Sequence, residues 1–184
     1  MVEGKTKRLG REDWIHGALE LLSTAGLGGV KIVPLAKQLG VTSGSFYWHF
    51  KNRGELYDAL LEYWEREMTD AAIVAAKGFQ GSPEERIWRL MEQVMASGMA
   101  RYDLSIWNLA QSDAAIQKIF KRTINKRFAF ATWMFKQIGF SDSQAKIRGR
   151  MMVVYMMGES TLISDTPGKR KKQLRLKFEI LTRS

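Results

Sequence analysis

Residues 35–50 read LAKQLGVTSGSFYWHF, with Lys51, Asn52 and Arg53 directly behind them. Leu35, Ala36 and Leu39 share one helical face, and Gly40 supplies a stop. Val41 is expected as a buried pin, and Thr42 or Ser43 as the cap of a following helix. The spacing predicts one helix over residues 33–38 and another over 44–50, the second burying Phe46 and Phe50. Ser43, Ser45, Tyr47, Trp48 and His49 are then left on or near the outer face. Hydroxyls at a helix start suit phosphates or base edges, and an exposed tyrosine and histidine beside Lys51 suit backbone contacts that fix register. The pattern fits a helix laid across double-stranded DNA. Tyr47 is expected to face DNA because Phe46 and Phe50 already fill the inward stripe; for Trp48, core and DNA both stay open.

Upstream, Trp14, Ile15, Ala18, Leu19, Leu22 and Ala25 line one face of a helix over residues 11–25, stopped by Gly26, Gly28 and Gly29. Lys5, Lys7, Arg8 and Arg11 form a basic arm, either a source of phosphate contacts or a solvated terminus. Pro34 is compatible with the first turn of the next helix, where amides have no helical partner.

The stretch over residues 35–62, LAKQLGVTSGSFYWHFKNRGELYDALLE, resembles the DNA-binding signature of TetR-family transcriptional regulators. Gly40, Val41, Thr42, Phe46, Tyr47, His49, Phe50, Lys51 and Leu56 match it, and the resemblance covers residues 10–64. Lys31 stands where the family commonly has threonine, and Val33 where some members carry arginine or another polar residue. The resemblance implies an all-α protein with an N-terminal three-helix helix-turn-helix domain and a helical regulatory and dimerisation domain, drawn here as residues 1–53 and 54–184. Its expected DNA-binding set is Lys31, Thr42, Ser43, Gly44, Ser45, Tyr47, Trp48, His49 and Lys51.

Beyond the head, a fourth helix is predicted over residues 53–77, carrying Leu56, Leu60, Leu61, Trp64 and Met68. Ser82 with Glu85 forms a capping box for a helix through residue 100. A short helix follows from Asp103, and a long one runs from Asp113 to a stop at Gly139. On the long helix, Lys118, Lys121, Arg122, Lys126 and Arg127 read as a solvated face. The last two helices are expected over 141–165 and 169–182, and the MMVVYMMG run of the first is apolar nearly all round. This half is rich in tryptophan and methionine, which fill a core or line an adaptable cavity. The family resemblance implies an effector pocket, with Trp64, Trp88, Met91, Met95, Trp107 and Phe128 as candidate lining. It also implies a homodimer through the last two helices, with Met151, Val154, Tyr155, Leu162, Leu174, Phe178 and Leu181 as candidate contacts.

Charge supports the DNA reading only weakly. The chain carries a formal net charge of +10, but residues 1–55 contribute +3, residues 56–165 contribute +1 and residues 166–184 contribute +6. Cysteine is absent, which excludes disulfides and cysteine-based zinc sites. With two histidines, His16 and His49, and no phosphate-cradling loop or nucleophile elbow, the sequence argues against an enzyme. No cofactor or metal is expected. The longest apolar run, residues 151–157, falls far short of the ~20 needed to span a bilayer, so no membrane role is expected and the location should be cytoplasmic.

Together these features imply a DNA-binding regulator, in this family most often a repressor released by a small apolar or amphipathic effector. The alternatives are an architectural DNA protein with the same head and no effector, and a ligand-binding protein with weak DNA specificity.

Overall fold

Trp14, Ile15, Ala18, Leu19 and Leu22 recur at helical spacing and are all buried in the computed structural model, so the first element forms to hide one face. It describes residues 9–98, 100–162 and 167–183, apart from the side chains of residues 27, 160–162 and 167. Among these the chain is all-α, with no strand. It divides into two compact units, Met1–Tyr63 and Trp64–Ser184.

In the first unit, α1 (Arg11–Gly29) is regular as far as Gly26, whose φ of 63° breaks it where the glycine cluster predicts. Next come α2 (Ile32–Gln38), a turn with Gly40 at φ 70°, and residues 43–48. Those last residues form a 3₁₀ turn, Ser43–Trp48, where an α-helix was expected. Ser45 N and His49 N bond three residues back, to Thr42 O and Phe46 O, and the Ser45 hydroxyl donates to Thr42 O at 2.6 Å. Local hydroxyl bonding of this kind competes with the α pattern, and the tighter turn results. Thr42 is the N-cap residue but makes no side-chain cap bond, and Val41 is half-buried, not a buried pin.

The next helix, α3 (Arg53–Glu65), belongs to the first unit as far as Tyr63, so that unit ends ten residues beyond the expected boundary. It is tied to α1 and to the link that follows α1: His16 Nε2 and Tyr63 OH lie 2.8 Å apart, and Tyr57 OH donates to Val30 O at 3.2 Å. Burial raises the Tyr57 phenol above its ordinary value, partly offset by the Arg53 charge.

The fourth predicted helix is interrupted. After α3 comes a π turn, Arg66–Asp70, and then α4 (Ala71–Gly78). The second unit continues with α5 (Pro83–Ser97), α6 (Arg101–Ala110), α7 (Ala114–Ile138), α8 (Asp142–Leu162) and α9 (Pro167–Thr182). Ser82 and Glu85 form the expected capping box, and Asp113 caps α7 by accepting from Ala115 N and Ile116 N. The core gathers Ile87 and Met91 of α5, Ala131, Met134 and Phe135 of α7, Met152 and Met156 of α8, and Leu174, Phe178 and Leu181 of α9.

Helices α7 and α8 approach at Gly149. A Cβ there would lie 2.8 Å from Thr132 N and 3.0 Å from the Ala131 carbonyl carbon, so only glycine fits the crossing. Helix α9 runs antiparallel to α8: Arg148 donates to Leu181 O at 2.7 Å, while Lys177 pairs with the buried Glu159 at 2.9 Å one end further along. No helix among the described residues is long and apolar enough to cross a membrane.

Candidate nucleic-acid interface

The outward surface of residues 42–51 is set by what lies under it. Phe46 is fully buried, edge-on to Trp14 with centroids 5.4 Å apart and stacked on Phe50 at 5.3 Å. With that ring pinned, the turn directs its neighbours outward: Tyr47 is 60% exposed and Trp48 is 78% exposed. Trp48 therefore has no place in the core. Thr42, Gly44 and Lys51 are exposed, and Ser43, Ser45 and His49 are half-buried on the same short segment.

Lys31, at the start of α2, is exposed and makes no side-chain cap bond. Val33, two residues on, is 67% exposed, so an aliphatic side chain stands outward there. Arg11 turns the other way: its guanidinium lies 4.7 Å from the Phe50 ring centroid and 3.4 Å from Glu55. Glu55 also accepts from Lys51 N at 2.8 Å, which fixes the backbone at the end of the turn and leaves the Lys51 amine outward. Lys5, Lys7 and Arg8 of the basic arm lie outside the described residues.

A cavity of about 160 Å³ opens inside the second unit. Its wall is mainly apolar, with Ile73, Met91, Val94, Phe130, Met134, Met152 and Met156, and one end is polar, with Thr69, Asp103 and Arg127. Asp103 accepts from Trp64 Nε1 at 2.7 Å and from Arg127 Nη1 at 2.8 Å, and Arg127 Nε donates to Thr69 Oγ1 at 2.8 Å. Of the expected lining, Met91 alone is in the wall. Trp64 is fully buried behind Asp103, stacked on Phe120; Trp88 packs on Phe178, and Trp107 points out to solvent. Met95 and Phe128 are half-buried against the core. The polar end escaped sequence reading because a buried Asp–Arg pair is brought together across 24 residues. No group of three or more His, Cys, Asp or Glu side chains among the described residues is placed to hold a metal ion.

Comparison with known proteins converges on the head. Residues 15–60 match the bacterial regulatory proteins of the tetR family. Tetracycline repressor protein class C of Escherichia coli is 49% identical over 55 residues, 30% of this chain and 25% of the relative. Residues 15–60 form a TetR-family head. The chain thus spans about a quarter of the length of the tetracycline repressors it matches. The regulator AcrR of Shigella flexneri aligns further, 30% identical over 96 residues, 50% of this chain and 45% of that one. The fold likeness extends to the second unit: a TetR-family regulator from Streptomyces coelicolor superposes with a TM-score of 0.74 at 18% identity, covering 94% of this chain and 88% of that one.

Behind the TetR-family head, the expected dimer contacts divide. Leu174, Phe178 and Leu181 are spent in the protomer's own core, because their spacing of four and three turns them inward on α9. Met151 and Val154 are exposed, and Tyr155 is half-buried under the Lys177 amine. The Leu162 side chain lies outside the described residues. Ile147, Leu176 and Ile180, absent from the expected set, are exposed and complete an apolar stripe along α8 and α9. The basic face of α7 also differs from expectation. Arg122 and Lys126 pair with Glu65, Lys126 also meets Asp70 at 3.1 Å, and Arg127 is drawn inward to Asp103.

Proposed function

We propose that this chain is a homodimeric transcriptional repressor that binds a roughly palindromic operator and is released by a small molecule. The observation that carries the reading is the outward surface of residues 42–51, where Tyr47, Trp48, Lys51 and two serines stand around a turn anchored by Phe46. Aromatic and hydroxyl groups beside a cation suit a major-groove approach in which backbone contacts set register and the turn's side chains meet base edges. Two heads related by twofold symmetry would enter successive major grooves about 34 Å apart.

The exposed stripe of Ile147, Met151, Val154, Leu176 and Ile180 supports pairing through α8 and α9. The cavity supports the release step. The chain leaves the first unit at Tyr63 and within six residues supplies Thr69 to the cavity's polar end. An effector that prefers a conformer with wrongly spaced heads shifts the population off DNA.

The test is selection of bound fragments from the source genome by the full chain, followed by titration at physiological salt. A palindromic site bound about a thousandfold or more over random DNA is expected. Affinity no better than for random DNA overturns the reading.

A further inference from the structure

The polar end of the cavity in the second unit keeps two donors without an acceptor. Both oxygens of Asp103 are occupied, one by Trp64 Nε1 and the other by Arg127 Nη1. The carboxylate is 2% exposed, so almost none of it is presented to the cavity. Arg127 uses Nε and Nη1 and lies over the Trp64 ring at 5.2 Å, while its Nη2 has no hydrogen-bond acceptor among the described residues. Thr69, buried in the π turn, accepts from Arg127 Nε, and its own hydroxyl proton has no acceptor among the described residues. Thr69 is 1% exposed, so its unmatched hydroxyl proton is costly, and a molecule that brings an acceptor completes the site.

Charge narrows the class. The Arg127 cation is neutralised by Asp103 at 2.8 Å, and Glu67 adds a carboxylate to the cavity wall. An entering anion would shed its hydration for an already paired cation with carboxylates nearby, whereas a neutral carbonyl loses far less. Size narrows it again. About 160 Å³ is close to the ~150 Å³ hollow that holds benzene, and a methionine-rich wall adapts in shape.

We infer that the cavity takes an uncharged, single-ring-sized apolar molecule whose one polar group is a hydrogen-bond acceptor, held by Arg127 Nη2 and the Thr69 hydroxyl. The inference rests on the reading of this cavity as the effector site and specifies what that site accepts.

The experiment uses the full chain with labelled methionine methyls and three probes of matched shape: acetophenone, isopropylbenzene and benzoate. Binding is read from the methyl resonances of Met91, Met134 and Met156. Acetophenone is expected to bind at least about tenfold tighter than benzoate. Arg127→Lys keeps the charge beside Asp103 but loses the planar fork that fixes the direction of Nη2. It should weaken acetophenone about tenfold and isopropylbenzene less than about threefold. A measurement on the unmodified chain stands beside this, in case the variant does not fold. The carbonyl stretch of isotopically labelled acetophenone should shift to lower frequency on binding, as for a hydrogen-bonded ketone. Benzoate binding tightest, equal weakening of both neutral probes, or an unshifted carbonyl band each overturns the inference while leaving the cavity a ligand site. If none of the three probes moves the methyl resonances, the effector-site reading falls together with the inference.

Discussion

Trp64 donates its indole N–H to Asp103 at 2.7 Å, although the two residues lie 39 positions apart. The same carboxylate balances Arg127, so a tryptophan counted as cavity lining serves instead to hold an ion pair in place. Removing the carboxylate leaves Arg127 without its counter-charge in a site only 16% exposed. Asp103→Leu should therefore cost about 3–5 kcal/mol. Trp64→Phe removes one hydrogen bond to the carboxylate and should cost about 1–3 kcal/mol. Chemical denaturation of both variants checks the order; a smaller loss for Asp103→Leu would contradict this account.

Glu65 gives the stability its acid dependence. Hydrogen bonding from Arg122, aided by Lys126, lowers its carboxyl to about 2 from an ordinary 4.5. A depressed folded value adds stability above the unfolded value, and that stability is lost as the pH falls through the folded one. Glu65→Gln should lower stability by about 1 kcal/mol near neutral pH, since the basic partners are solvent-exposed and screened. The gap between the two proteins should close between pH 4.5 and about 2. A gap that stays constant over that window in denaturant titrations would rule out the ion pair as its source.

Much of the fold was legible because its signals are local. Ser82 with Glu85, Asp113 before α7 and Gly139 after it each act within a turn, and each boundary falls where they put it. Phe46 and Phe50 likewise declared the buried side of the head, and with it the outward placement of Tyr47. What stayed hidden depends on distant partners. The π turn at Arg66–Asp70 carries Thr69 and Asp70, whose partners sit more than fifty residues away on α7, and nothing in its own sequence announces them. Arg127 looked like one more residue of a wet basic face because its neighbours at 121, 122 and 126 are all basic. The stripe on α9 was misassigned for a related reason. Leu174, Leu176, Phe178, Ile180 and Leu181 are apolar on both faces, so periodicity alone does not say which face the protomer consumes.

The α7–α8 crossing has its own test. At Gly149 an added methyl meets backbone atoms of α7, which cannot rotate away as a side chain would. Gly149→Ala should destabilise the second unit by about 1–3 kcal/mol despite the better helix propensity of alanine. Gly78 has nothing near its would-be Cβ, so Gly78→Ala provides the control and should be close to neutral. Thermal unfolding of the pair decides it; equal midpoints would mean the helices separate without cost.

The apolar stripe on α8 and α9 separates assembly from folding. Val154→Glu places a charge on an exposed position and should convert a dimer into a folded monomer at micromolar concentration, as read by light scattering. Leu174→Ala removes a buried core side chain and should cost about 2–5 kcal/mol of protomer stability. A dimer that persists in Val154→Glu would exclude this stripe as the contact.

At the head, the two exposed rings and the neighbouring lysine should fail in different ways. Tyr47 and Trp48 are 60% and 78% exposed, so replacing either with alanine should leave the thermal midpoint nearly unchanged. If they meet bases or sugars, each loss should weaken operator binding by about 1–3 kcal/mol while leaving the salt dependence as it was. Lys51 is exposed and suited to a phosphate. Lys51→Gln should weaken binding to operator and random DNA alike, and reduce the slope of log affinity against log salt by about one. Phe46→Ala serves as the contrasting control, since an empty site beneath Trp14 and Phe50 should unfold the head at a cost of about 3–5 kcal/mol. Fluorescence titrations at several salt concentrations distinguish these outcomes. Unchanged operator affinity in both Tyr47→Ala and Trp48→Ala would mean that DNA is read from another face of the first unit.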